Sequence, residues 1–99
     1  MIYNSSFTTY RLTGTVARSY SGTATLTNAE GFFEPLSGEL RAVLGIDNSV
    51  MAWALLTEAS DIQRQDKVVI LSNNYFVEQI EQFSHGAVNL TRLVLLKDV

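Results

Sequence analysis

The chain has 99 residues, seven basic against ten acidic side chains, a formal net charge of −3 and no cysteine. That length fits one domain, which buries roughly 60–70% of its unfolded surface in a single modest core. The missing thiols exclude disulfides, thiolate metal sites and cysteine nucleophiles, and so few scattered cations argue against tight nucleic-acid binding, which needs a Lys/Arg patch to displace phosphate counterions.

Hydrophobic residues make up 46% of the chain, a globular composition. The opening Met1-Ile2-Tyr3-Asn4-Ser5-Ser6 lacks the basic start and apolar run of a secretion signal. The longest apolar run, Val50 to Leu56, is too short to span a bilayer, so no membrane partner is expected. Asn4-Ser5-Ser6 and Asn89-Leu90-Thr91 fit the glycosylation pattern and are read as chance.

Tyr10 to Val16 alternates apolar and polar residues, with Tyr10, Leu12 and Val16 on one face and threonines on the other. That period of two predicts a half-buried strand. Ser21-Gly22 predicts a turn and Thr23 to Thr27 a second strand, pairing with the first as a hairpin. Asn28 to Pro35 reads as a loop, with Pro35 suited to a strand end. From Ser37 to Leu44, Leu40, Val43 and Leu44 recur at helical spacing before Gly45, which predicts a short helix. The domain is thus expected to span 1–99 as one β-barrel, with a loop and short-helix insertion at about 28–49.

Val50 to Thr57 is ambiguous by period and is read as a strand because the segments after it are strand-like. Asp61 to Asp66 is a polar turn, and Lys67 to Leu71 a β-branched strand. Ser72-Asn73-Asn74 predicts a tight turn, Tyr75 to Ile80 the returning strand, His85-Gly86 another turn, and Leu90 to Lys97 the last strand. This meander predicts an all-β fold, a small SH3-like or OB-like barrel or sandwich with one long loop and a short helical turn.

Little in the chain signals catalysis. His85, the sole histidine, sits beside Gly86 and reads as an exposed turn residue. Asp61 and Asp66 are the right residue types for a metal or a carboxylate pair, yet their positions suit a turn and a strand entry better. Glu30, Glu34 and Glu39 read as a solvated acidic face, and the six glycines are isolated, with no phosphate cradle among them. No catalytic residue, cofactor or metal site is expected. Phe32-Phe33 stands out, because adjacent side chains on a strand point opposite ways and both cannot face the core. One ring is then exposed, or both lie in a loop that either folds back over the barrel end or contacts a neighbouring subunit; on the second reading Phe32, Phe33, Glu34 and Pro35 are the candidate subunit or partner contact, with Trp53 assigned to the core. On this reading, replacing both phenylalanines by Ala leaves the monomer folded and impairs binding to a neighbour.

The C-terminal half carries a further pattern: Asp61-Ile62, then Asp66-Lys67-Val68, a short turn, Tyr75-Phe76-Val77, Ile80, Phe83, and the closing strand Thr91 to Lys97. It resembles the phage head–tail joining, or head-closure, family, and Gly31 to Pro35 resembles the Gly-to-Pro segment before that family's middle strands. The family usually carries Gly before the second Asp. Gln65 stands there in this chain, so a differently shaped turn is expected.

The resemblance implies a structural virion protein at the head–tail junction, assembled in the host cytoplasm. Its implied partners are copies of itself in a ring, the portal and adaptor proteins of the head, and a tail-tube or tail-terminator protein. Packaged DNA would pass through non-specifically. A tail-terminator or minor tail protein, and a small SH3-like binding module of the host, are the competing expectations. An enzyme would need a defined cluster of titratable groups in a pocket.

Overall fold

The computed structural model describes residues 3–14, 19–45 and 51–97. Eight strands occur among them: β1 (Ser5–Tyr10), β2 (Leu12–Gly14), β3 (Ser19–Tyr20), β4 (Leu26–Pro35), β5 (Ala52–Thr57), β6 (Lys67–Ile70), β7 (Asn73–His85) and β8 (Val88–Lys97). One helix, α1 (Gly38–Leu44), joins β4 to β5. Six strands close an antiparallel barrel in the order β1-β4-β5-β8-β7-β6, and β2 and β3 form a separate two-stranded sheet. The all-β barrel expected from the sequence is the observed fold. No described helix is long and apolar enough to cross a membrane.

Closure depends on β4, which changes partner along its length. Its first half pairs with β1 (Phe7 opposite Ala29) and its second half with β5 (Phe33 opposite Leu55). Gly31 faces Ser5 on one side and Thr57 on the other. A Cβ at Gly31 would lie 2.7 Å from Leu55 Cδ1, 3.1 Å from Leu56 O and 3.2 Å from Phe7 Cε1, so a side chain at the crossover would have to displace the buried Leu55.

Asn28 to Pro35 is therefore barrel wall, not loop. Ala29, Gly31 and Phe33 share the inward register, and two of those three are too small to register as an apolar alternation. The insertion shrinks to the segment between Pro35 and Ala52, of which 46–50 lie outside the described residues. Its helix is where the periodicity placed it, and Gly45 ends it at φ +73°. Val43 is 77% exposed, and the side chains of Leu40 and Leu44 lie outside the described ones.

The first hairpin is also rewired. Tyr10 ends β1, whose inward residues are Phe7 and Thr9, not the tyrosine. Leu12 pairs with Tyr20 across the β2–β3 sheet, and Thr15 and Val16 lie outside the described residues. Ser21-Gly22 does turn the chain, with Ser21 Oγ accepting from Thr23 N at 3.1 Å. Thr23 to Thr25 are not strand; Thr25 N donates to Thr9 O at 2.8 Å as β4 begins.

The meander from β6 to β8 matches the sequence expectation closely, with its turns displaced. Ile70 faces Asn73, so the turn residues are Leu71 and Ser72, at φ +51° and +67°. Positive φ at both positions is the two-residue hairpin geometry that Asn-Gly favours. The adjacent asparagines drew the expectation one residue downstream, and β7 and β8 both run longer than expected.

The main core inside the barrel comprises Phe7, Leu55, Ile62, Val68, Ile70, Tyr75, Val77, Leu93 and Leu95. A second cluster, Leu36, Ala52, Ala54 and Val94, packs on the outer face of β5 and β8 beside α1.

Candidate functional site

The four residues singled out in the sequence lie consecutively on β4, and the pleat divides them. Phe32 and Glu34 point outward and are exposed, Phe32 by 37%; Pro35 is exposed at the strand end opposite Trp53. Phe33 points into the barrel. Its ring stacks on Trp53 (centroids 6.2 Å apart) and meets Tyr75 edge-on at 5.5 Å, while Trp53 meets Tyr75 at 5.3 Å. Such pairs prefer offset-stacked and edge-to-face geometry and fill the barrel end with large apolar area. Burial pushes the Tyr75 phenol above its ordinary value. Half-buried Phe33 and Trp53 thus pack into the interior, while Phe32, Glu34 and Pro35 are exposed.

The edge of β4 beside Phe33 is capped by a side chain. Asn4 Nδ2 donates to Phe33 O at 2.9 Å and Asn4 Oδ1 accepts from Phe33 N at 2.8 Å, so one carboxamide replaces a peptide rung. No cation or partner strand is required there.

The Asp61–Asp66 turn is organised by a residue that nothing in the sequence singles out. Arg11 Nε donates to Asp66 Oδ1 at 3.0 Å, and its terminal nitrogen donates to Asp61 Oδ1, also at 3.0 Å. Asp66 is fully buried, and its second oxygen accepts from Gln63 N at 2.9 Å. The hydrogen bond to Asp61, outweighing partial desolvation, raises the Arg11 guanidinium above its ordinary value. Both carboxylates are thereby committed to holding the β1–β2 junction against the segment before β6. Among the described residues, no three Asp, Glu or His side chains converge in a way that could hold a metal ion.

Gln65, expected to reshape this turn, sits at φ +73°, the left-handed conformation glycine adopts most readily. Its carbonyl accepts from the Tyr20 hydroxyl at 3.2 Å. Tyr20 also stacks on Phe76 at 6.0 Å, and Lys67 Nζ lies 4.7 Å from the Tyr10 ring centre and 5.3 Å from that of Tyr20. These contacts pin the β2–β3 sheet to the barrel's outer wall.

Beyond the barrel, β7 and β8 continue as a two-stranded arm. An open cleft of about 340 Å³ lies at its base, lined by Glu58, Ser60, Gln82, Ser84, Asn89 and Thr91 among others. It holds one carboxylate among hydroxyls and amides, without a nucleophile–base pair. The His85 backbone is the last residue of β7, and its side chain lies outside the described ones.

No protein-family model matches the chain, and no curated protein matches it. A solved structure does: the xkdH protein of the phage-like element PBSX from Bacillus subtilis. It superposes with a TM-score of 0.53 at 12% identity, over 99% of this chain and 95% of that one. At that identity the likeness concerns the fold.

Proposed function

We propose that this protein is a structural component of a tailed-phage particle, a head-closure protein that forms a ring joining the packaged head to the tail. The observation that carries this reading is the end-to-end fold likeness to a protein of a phage-like element, with nearly all of both chains aligned. The head–tail joining pattern across Asp61 to Lys97 is a second support. The two supports differ in kind: one is a chain-length topology, the other a set of residues on β6 to β8.

In this reading the work is assembly, not catalysis. Copies meet head-to-tail, since a ring requires heterologous contacts. Phe32 and Glu34 on the outer face of β4, with Pro35 at its exposed end, would offer one contact patch, flanked above by the portal and adaptor proteins and below by a tail-tube or tail-terminator protein. A net charge of −3 favours a lumen that repels phosphates and lets DNA slide.

Disrupting the gene in the genome that encodes it and imaging the particles by electron microscopy tests the proposal. Separate tails beside leaking or emptied heads are expected. Heads joined to abnormal tails would reassign the protein to the tail as a terminator. Normal particles would overturn the phage reading in favour of a host binding module.

A further inference from the structure

The outer edge of β7 is covered, residue by residue, and then abruptly is not. Asn73 to Phe76 pair with β6. Val77 N donates to Asp66 O at 3.0 Å, Val77 O accepts from Gln65 N at 2.7 Å, and Arg64 Nε donates to Glu78 O at 2.9 Å. From Ile80 to Ser84, no strand among the described residues is registered against that edge, while the inner edge pairs with β8 throughout.

The turn geometry fixes which peptide groups face outward. His85 pairs with Val88 across the two-residue turn Gly86-Ala87, and Gly86 has φ +66°. In a two-residue hairpin the flanking pair exchanges both backbone hydrogen bonds, and pairs alternate from there. The Phe83–Leu90 and Glu81–Arg92 pairs therefore bond inward. Ile80, Gln82 and Ser84 direct their N–H and C=O groups out of the sheet.

An open edge is a template for another strand, and proteins normally blunt it with Pro, charged side chains or a β-bulge. No Pro or Lys stands between Ile80 and Ser84, and the bulge in β7 falls before them, between Val77 and Gln79. The one charged residue there, Glu81, is paired with Arg92 of β8. Phe83 and Val88, diagonal neighbours on one face, are each about 40% exposed.

We propose that this edge docks a second copy of the chain, β7 against β7, across a two-fold axis at Gln82. Antiparallel pairing sets Ile80 opposite the partner's Ser84, and Gln82 opposite its own counterpart. All three outward peptides on each copy are then satisfied, giving six hydrogen bonds. No charge faces a like charge directly: Glu81 lies opposite Phe83, and each Glu81 keeps its Arg92. The two Phe83 rings become diagonal neighbours, within reach of one another. Antiparallel pairing also leaves the two barrels at opposite ends of a continuous β8-β7-β7-β8 sheet. The opposite edge of the arm is a poorer template, because β5 already occupies β8 from Thr91 onward.

The inference does not rest on the phage reading, and its test uses the purified chain. Sedimentation over a concentration series is expected to show a monomer–dimer equilibrium. Amide exchange by NMR is expected to show Ile80, Gln82 and Ser84 gaining protection as the dimer fills, with Glu81 and Phe83 already protected in the monomer. Q82P removes an outward N–H without touching the β8 ladder and is expected to abolish the dimer. Q82K, which sets two like charges on the axis and leaves every peptide intact, is expected to weaken it at least tenfold. K97Q, at the barrel end of β8 and away from the arm, is expected to change nothing. A chain that stays monomeric at millimolar concentration overturns the proposal. So does a dimer that survives Q82P and Q82K, or one in which the three outward amides exchange as in the monomer.

Discussion

The β7–β8 hairpin passes through two regimes within one pair of strands. Inside the barrel Val77, Leu93 and Leu95 are almost wholly buried. From Glu81 to Asn89 every described side chain is exposed, although the two strands remain in register with each other. The ladder is the same; the number of strands abreast is not. Where β5 and β6 flank the hairpin its inward side chains meet an opposite wall, and where they give out its side chains face an open cleft and then water. Burial in so small a barrel is set by neighbours, and a strand's own composition does little to change it. Substitutions in the body should thus cost far more than comparable ones in the arm.

The largest expected difference is at the Arg11 clamp. Arg11→Ala leaves the Asp66 carboxylate buried without its cation. The expected loss is about 3 kcal/mol, the low end for breaking a buried pair, because water reaches part of Arg11. Asp61→Ala removes a partner that is 66% exposed and should cost less than about 1 kcal/mol. Urea unfolding of both variants checks the contrast. Equal losses would mean that the buried and exposed halves of the clamp do not differ as their burial implies.

Next come the adjacent phenylalanines. Phe33→Ala empties one side of the Trp53–Tyr75 cluster and is expected to cost about 2–3 kcal/mol, somewhat less than a fully buried ring. Phe32→Ala, on the outer face of the same strand, should stay within about 0.5 kcal/mol. The double variant is therefore expected to be destabilised, contrary to the reading in which both rings serve a neighbour. Only Phe32→Ala isolates a contact role.

A gain of stability is expected at Gln65. Gly at φ +73° relieves about 1–2 kcal/mol of left-handed strain. The more flexible unfolded chain offsets about 0.4–1 kcal/mol of that. Gln65→Gly should therefore stabilise by about 0.5–1 kcal/mol, read as a raised melting temperature. A loss would show that the exposed Gln65 side chain makes a contact beyond its backbone.

The sequence made the C-terminal meander legible because β-branched and aromatic residues crowd Lys67 to Ile70 and Tyr75 to Ile80 with turn residues between them. It hid β4, whose inward positions Ala29 and Gly31 carry too little apolar side chain to show an alternation; at Gly31 a Cβ would run into Leu55 and Phe7. β1 escaped notice for a related reason. One of its two inward residues is Thr9, a polar side chain made tolerable by a hydrogen bond from Leu26 N to its hydroxyl. Of the candidate contact, the alternation of Phe32 and Phe33 came from strand geometry alone, but which ring points inward depends on register with β5, a long-range fact. Arg11 carried no signal at all: it lies 50 residues from Asp61 and 55 from Asp66 in sequence, and only barrel closure brings them together.

The smallest expected effect belongs to the arm. Glu81 and Arg92 form an ion pair across β7 and β8, with Glu81 half exposed. Arg92, 28% exposed, still reaches water, so losing the Glu81 charge forfeits little. Glu81→Gln should therefore lower monomer stability by about 0.5 kcal/mol or less, and the difference should fade in high salt. Measured at concentrations too low for association, urea unfolding at low and high ionic strength resolves this. A loss comparable to that of Arg11→Ala, insensitive to salt, would mean that the arm is as tightly coupled to the core as the barrel wall. The division between a closed body and an open extension would then fail at its most exposed point.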